Sequence, residues 1–189
     1  GCVPLEAHKF LIDNIQDAGK EGLIIIEGAG NGGVNLDDPN QAAPKEGMAY
    51  FSYFSDPAND SGAIMVGASM GANKKKAAWS NCGSRVDVFG WGAGVVTAGY
   101  GDKFNPDGVD PNTVAGADNP KLYTGQFGGT SAATAEIAGV AAMIQSYVRQ
   151  LVVEAGYEPK VVYLDSKQMR TILKNSGQAA VYGQTPNDP

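Results

Sequence analysis

Residues 129–153 constrain this chain more than any other stretch. Gly129-Thr130-Ser131-Ala132-Ala133-Thr134-Ala135-Glu136-Ile137-Ala138-Gly139 opens a nearly continuous apolar run that ends near Val153. A glycine turn followed by so many helix formers predicts a long helix beginning beside Ser131. Small or apolar residues fall on every side of it (Ala132, Ala133, Ile137, Val140, Ala141, Ile144), which places it in the middle of a protein. A hydroxyl in the first turn stands among unpaired backbone N–H groups at the positive end of the helix dipole. Two roles are open to it. Ser131 or Thr130 is an ordinary N-cap, or Ser131 is a nucleophile whose developing negative charge those N–H groups favour.

The rest of the chain supplies the frame. At 189 residues it can build one domain with a substantial core. Pro4 to Gly22 carries Ala7, Leu11, Ile15 and Ala18 at helical spacing, with Pro at its start and Gly at its end. Leu23-Ile24-Ile25-Ile26 reads as a strand buried on both faces. Ala63 to Ala68 predicts a second core strand, Arg85 to Phe89 a third and Gly94 to Ala98 a fourth. Between Gly99 and Pro120 a stretch rich in Gly, Pro, Asp and Asn reads as a surface excursion. A last amphipathic helix is capped by Asp165 or Ser166, turns Met169, Ile172 and Leu173 inward and stops at Gly177. This order predicts an α/β fold, a mainly parallel sheet flanked by helices, in a single unit over residues 1–189.

Composition removes some functions. The net charge is −6 and the basic residues are scattered. The one cluster, Lys74-Lys75-Lys76, reads as a solvated loop, so nucleic acid is not an expected partner. No run is long and apolar enough to suggest a membrane span. Cys2 and Cys82 are too few for a disulfide framework and lack metal spacing; whether they pair with each other is left open. Gly-Cys-Val-Pro at one end and Pro-Asn-Asp-Pro at the other read as cuts in a longer protein.

Gly28-Ala29-Gly30-Asn31-Gly32-Gly33 follows a strand and satisfies G-x-G-x-x-G. A dinucleotide site needs a helix to start there, and Val34-Asn35-Leu36-Asp37-Asp38-Pro39 has no helical period. The nucleotide reading therefore fails. Asn31 instead offers a side-chain N–H donor on a backbone open to close approach. In a parallel α/β sheet, strand C-termini and helix N-termini share one side. Asn31 and Ser131 can thus meet there as oxyanion donor and nucleophile of an acyl-transfer site.

Three segments in register resemble the subtilisin-like serine proteases, the subtilases. Residues 23–33 are similar to the strand and Ala-Gly-Asn turn that carry that family's oxyanion asparagine. Trp79-Ser80-Asn81-Cys82-Gly83-Ser84 resembles its Phe-Ser-Asn-x-Gly segment, and residues 127–139 match its Gly-Thr-Ser nucleophile motif. The resemblance implies Ser131 as nucleophile, with the Asn31 amide and the Ser131 backbone N–H as oxyanion donors. It implies Gly28, Ala29 and Gly30 as one wall of the pocket for the residue before the scissile bond. Ser55 and Asp56 fall at that pocket's floor, where Asp56 either favours basic side chains or points at solvent.

The departures are as informative. The family's triad runs Asp, His, Ser, with the first two upstream of the oxyanion asparagine. This chain has 1 His, His8, on the first helix, which reads as a surface or boundary residue. The chain thus resembles the nucleophile and oxyanion half of a protease. Three explanations stay open: a second polypeptide segment carries Asp and His, the chain is an excised piece, or it is a degenerate module that binds peptides without cutting them. By resemblance the substrate is a peptide or protein, and secretion and structural calcium are expected. The acidic loops Asn35 to Asp38 and Asp107 to Asp118 offer oxygens, though without a dedicated calcium spacing. Self-association through faces meant for the missing half is a further expectation.

Overall fold

The computed structural model describes residues 3–38, 56, 59–71, 74–108, 110, 121–158 and 163–178. The α/β architecture expected from the sequence is what they form. The central strand, β2 (Ile64–Met70), is buried along its length except at Met70. β1 (Ile26–Gly28) lies parallel to it with Ile26 opposite Ile64. β4 (Val88–Trp91) is also parallel to β2, with Val66 opposite Val88. β3 (Lys75–Lys76) runs antiparallel against Ser69 and Met70. The lysine run expected to be a loop is therefore partly an edge strand, because its backbone completes the end of β2.

Successive residues of β2 face opposite sides, as a pleated strand requires. Met65 joins Ala7, Ala29 and Leu36 on one face, beneath a 3-10 turn η1 (Leu5–Ala7) and the helix α1 (Lys9–Lys20). Ile64 and Val66 face the long helix α2 (Thr130–Glu154) and, with Ala141, Met169 and Leu173, also α3 (Ser166–Ser176). Fully burying a side chain such as Ile64, Met65 or Val66 is worth about 1.5–3 kcal/mol, so β2 anchors both layers.

Several expectations need correction. The helix expected from Pro4 is split at His8, whose backbone is extended (φ −100°, ψ 115°). Glu6 and Ala7 are both buried, so packing sets η1 rather than helical period. The strand expected at Leu23 starts at Ile26, and Leu23 is 57 % exposed. β5 (Val95–Ala98) does not join the parallel sheet. It pairs antiparallel with β6 (Tyr123–Phe127), a strand the sequence reading missed. Its residues alternate between half-buried and exposed, as a two-stranded ribbon with one wet face demands.

The helix ends follow ordinary rules. Leu23 N–H reaches back to Ala18 O and Gly22 N–H to Gly19 O, closing α1 in a Schellman motif at the predicted glycine. Asp165 accepts from Gln168 N–H while the Gln168 side chain accepts from Asp165 N–H, a reciprocal capping box on α3. α2 departs most from expectation. One flank packs on the sheet, but Met143 is 66 % exposed, Tyr147 60 % and Leu151 43 %. No layer among the described residues covers that side, so a helix apolar all round is left half wet.

Candidate active site

The turn after β1 and the start of α2 lie together at the C-terminal edge of the parallel sheet. Gly129, the residue before α2, adopts φ 89° and ψ 173°, a backbone only glycine takes at little cost. It has no side chain with which to cap. The cap arrives from elsewhere: Thr130 N–H donates to Asn31 Oδ1 at 2.9 Å, across 99 positions of sequence. Neither Thr130 nor Ser131 is therefore an N-cap side chain, and the bland reading of the Gly-Thr-Ser turn lapses. The Asn31 oxygen is thus engaged by the helix, which leaves its N–H2 group to other partners. A Cβ built on Gly129 would lie 3.4 Å from Asn31 Nδ2, 3.6 Å from Asn31 Oδ1 and 3.7 Å from the Ser131 backbone nitrogen, so the Asn31 amide and the start of α2 border one small space. Ser131 itself is exposed.

The sheet is shaped to let the helix start come this close. A Cβ on Gly90 would lie 2.8 Å from Ala133 O, and one on Gly28 3.0 Å from Thr130 Oγ1. Thr130 is buried, and the Thr134 hydroxyl donates to Thr130 O at 2.7 Å. Glu136 accepts from Trp91 N–H at 2.8 Å, tying the end of β4 to the second turn of α2.

The other expected site residues fall as follows. Gly28 faces the first turn of α2. Ala29 is fully buried in the layer below, with its N–H donating to Val66 O at 2.8 Å. Gly30 is buried with φ 98°, and its carbonyl accepts from Asn81 N–H at 3.0 Å. Ser55 lies outside the described residues, and Asp56 is exposed.

Sequence reasoning missed a charged cluster behind the turn. Glu27 on β1 is buried on the face opposite α2, where Glu6 N–H donates to its Oε2 at 3.3 Å. Glu6 accepts from the Ser61 hydroxyl and from Arg85 Nη2, the latter at 2.9 Å. Arg85 also bonds Asp87, and Arg170 bonds both Asp60 and Asp87. Burial first, then the neighbouring Glu6 carboxylate, pushes the Glu27 carboxyl up to about 8. Asp60 is held down to about 2: burial opposes this, but the Arg170 guanidinium and the Gly62 N–H outweigh it. A pair of carboxylates buried within an otherwise apolar layer has no periodic signature, so only coordinates could find it.

A model of the subtilase family matches residues 4–187. This chain belongs to the subtilase family. No curated protein matches it. Among solved structures, the subtilase is similar to a lanthipeptide protease at 24 % identity and TM-score 0.56, covering 93 % of this chain and 51 % of that one. It is similar to a cold adapted subtilisin-like serine proteinase at 21 % identity and TM-score 0.55, covering 89 % and 43 %. The self-cleaved protease domain of PatA gives 22 % and 0.54, covering 89 % and 47 %. At these identities the likeness is one of fold. The subtilase chain spans about half the length of the structures it matches.

Its single histidine follows Ala7, which packs on the sheet face opposite α2. His8 precedes α1 on the far side of the sheet, with its ring 5.8 Å from that of Phe10. In the loops expected to offer calcium ligands, Asp37 accepts from the Ser84 hydroxyl and N–H, and Asp107 pairs with Lys121. Among the described residues no group of three or more His, Cys, Asp or Glu side chains could hold a metal, and most of the second loop lies outside them. Cys82 is buried, and Cys2 lies outside the described residues. No helix among the described residues is long and apolar enough to cross a membrane.

Proposed function

We propose that this subtilase is the nucleophile- and oxyanion-bearing part of a serine endopeptidase. Ser131 Oγ attacks the scissile carbonyl carbon, the C–N bond breaks as the amine leaves, and water then hydrolyses the acyl ester on Ser131. Asn31 Nδ2–H and the Ser131 backbone N–H receive the negative charge of the tetrahedral intermediate. The observation that supports this reading is the Thr130 N–H to Asn31 Oδ1 bond, which holds the Asn31 side chain at the start of α2, one residue from Ser131. Removing such an amide costs on the order of 10²–10³ in kcat, a magnitude measured in a member of this family.

A serine without a base is a weak nucleophile. The position of His8 and the half-length match to solved proteases support a second polypeptide segment that supplies the Asp and His. The exposed flank of α2 at Met143, Tyr147 and Leu151 is the natural place for that segment to pack. The substrate is a peptide or protein held in extended form, and the setting is extracytoplasmic.

A fluorophosphonate probe tests this. Labelling of Ser131 is expected when the Asp- and His-bearing segment is present and lost in Ser131→Ala. No labelling in either state would leave a peptide-binding module without catalysis, the reading that the absence of a nearby histidine favours.

A further inference from the structure

The Gly28–Gly33 turn holds four glycines, the residues least able to hold a backbone in one shape. Yet the turn must present the Asn31 amide to within a fraction of an ångström if the donor is to meet a developing oxyanion. Something outside the turn has to fix it. Asn81 is fully buried and its side chain bonds the turn from below. Its Oδ1 accepts from Gly32 N–H at 3.0 Å and from Val34 N–H at 3.0 Å. Its Nδ2 donates to Ala29 O at 2.7 Å, and its backbone N–H donates to Gly30 O. These four bonds hold residues 29, 30, 32 and 34, and so bracket Asn31 on both sides without touching its side chain. Ser80 secures the strap in turn: its hydroxyl accepts from Ala68 N–H on β2 at 2.9 Å and donates to Asn81 O at 3.0 Å.

We infer that Asn81 is a positioning residue for the oxyanion donor, a rigid strap that sets where the Asn31 amide points. This rests on the reading of Asn31 as that donor. Only a side-chain amide fits the task. Two N–H groups and one carbonyl converge on position 81, and an amide offers an acceptor and a donor at once. A carboxylate would keep the two acceptor bonds and lose the donation to Ala29 O; an aliphatic chain would take the partner from all three groups, the buried Ala29 carbonyl among them. Because the network is buried and satisfied, it rigidifies the turn.

Amide hydrogen exchange on the chain itself provides the first test. In Asn81→Ala the Gly32 and Val34 amides should exchange faster, by roughly 2- to 13-fold, the factor that goes with losing one hydrogen bond's net worth. The β2 amides from Ile64 to Met70 should keep their protection. Asn81→Asp, the milder variant, should speed exchange at Gly32 and Val34 less. Unchanged exchange at Gly32 and Val34 would overturn the inference, and so would loss of protection throughout the sheet in both variants, which marks a merely structural residue.

The second test is a double-mutant cycle in the enzyme completed with its Asp- and His-bearing segment. Asn81→Ala should lower kcat on the order of 10²-fold, what a misplacement of about 1 Å costs, with KM little changed. In an Asn31→Ala background it should cost nothing more, since there is no donor left to position. Equal losses in both backgrounds would overturn the inference. If Asn31→Ala alone leaves kcat intact, the oxyanion reading has failed, while the exchange measurement still reports on the strap by itself.

Discussion

The Asn31 side chain caps α2 with its oxygen, and its nitrogen is the proposed oxyanion donor, so substitution can separate the two ends of one amide. Asn31→Asp keeps an acceptor for Thr130 N–H and adds a charge that suits a helix N-terminus. Thermal unfolding should therefore place it at or above the native midpoint, although its donor is gone and turnover should collapse. Asn31→Ala should lose both, costing about 0.5–2 kcal/mol for the missing cap. If the two variants unfold alike, the cap is not what the bond provides. A second prediction concerns Glu27, whose carboxyl is raised from 4.5 to about 8. In the unfolded chain it ionises near its ordinary value, so across that window unfolding releases a proton. Stability should fall as pH rises from about 4.5 to 8, at up to about 1.4 kcal/mol per pH unit for one group. Asp60 acts with the opposite sign: its contribution is present above its ordinary 3.8 and is lost as pH falls towards 2. Urea unfolding of Glu27→Gln between pH 5 and 8 should show a flatter profile; the same slope as native would sink the assignment. That the Asn31 turn and the Ser131 turn meet was legible from the chain, because strand ends and helix starts share one side of a parallel sheet. The bonds that Asn81 makes to that turn and the burial of Glu27 beside Glu6 were not, because neither has a periodic signature and their partners lie 47–52 and 21 positions away.

At the level of elements, the site depends on how closely α2 approaches the sheet. Gly90→Ala would set a methyl 2.8 Å from Ala133 O and 3.0 Å from Ala133 Cα, both backbone atoms that can move only with the helix. The expected cost is about 1–3 kcal/mol in urea unfolding, as for other overpacked positions. A variant as stable as native would show that the helix start is not held against β4. Elements with one face wet and one dry were read well: α3 was placed with its cap, its inward Met169 and Leu173 and its stop. Also correct was β2, whose apolar run is bounded by polar residues. The β5–β6 ribbon was misread because its partner strand, Tyr123–Phe127, carries Gly and Gln that weaken the strand signal. α2 was read correctly as a helix and wrongly as buried, since burial depends on what surrounds an element and not on its own sequence.

The molecule as a whole presents an apolar stripe, Val140, Met143, Tyr147 and Leu151, along the outer side of α2. Residues three and four apart share a helix face, so these four form one continuous strip. Exposed strips of this kind mark contact surfaces. Met143→Lys with Tyr147→Lys should leave the unfolding midpoint nearly unchanged, because both side chains are already wet. It should weaken capture of the Asp- and His-bearing segment by at least about tenfold, since at least one anchor's worth of burial is lost. Calorimetric titration measures this; unchanged affinity would place the contact elsewhere.

The bond between Asn31 and Thr130 joins residues 99 positions apart. During translation the amide emerges from the ribosome long before the hydroxyl, and long-range contacts of this kind form late in folding. On the proposed reading, a nascent chain has no means of stabilising a tetrahedral intermediate until both halves of the pair have been synthesised and brought together. Topology alone thus makes that stabilisation wait on the meeting of two distant stretches of chain, so a partly made site is a silent one.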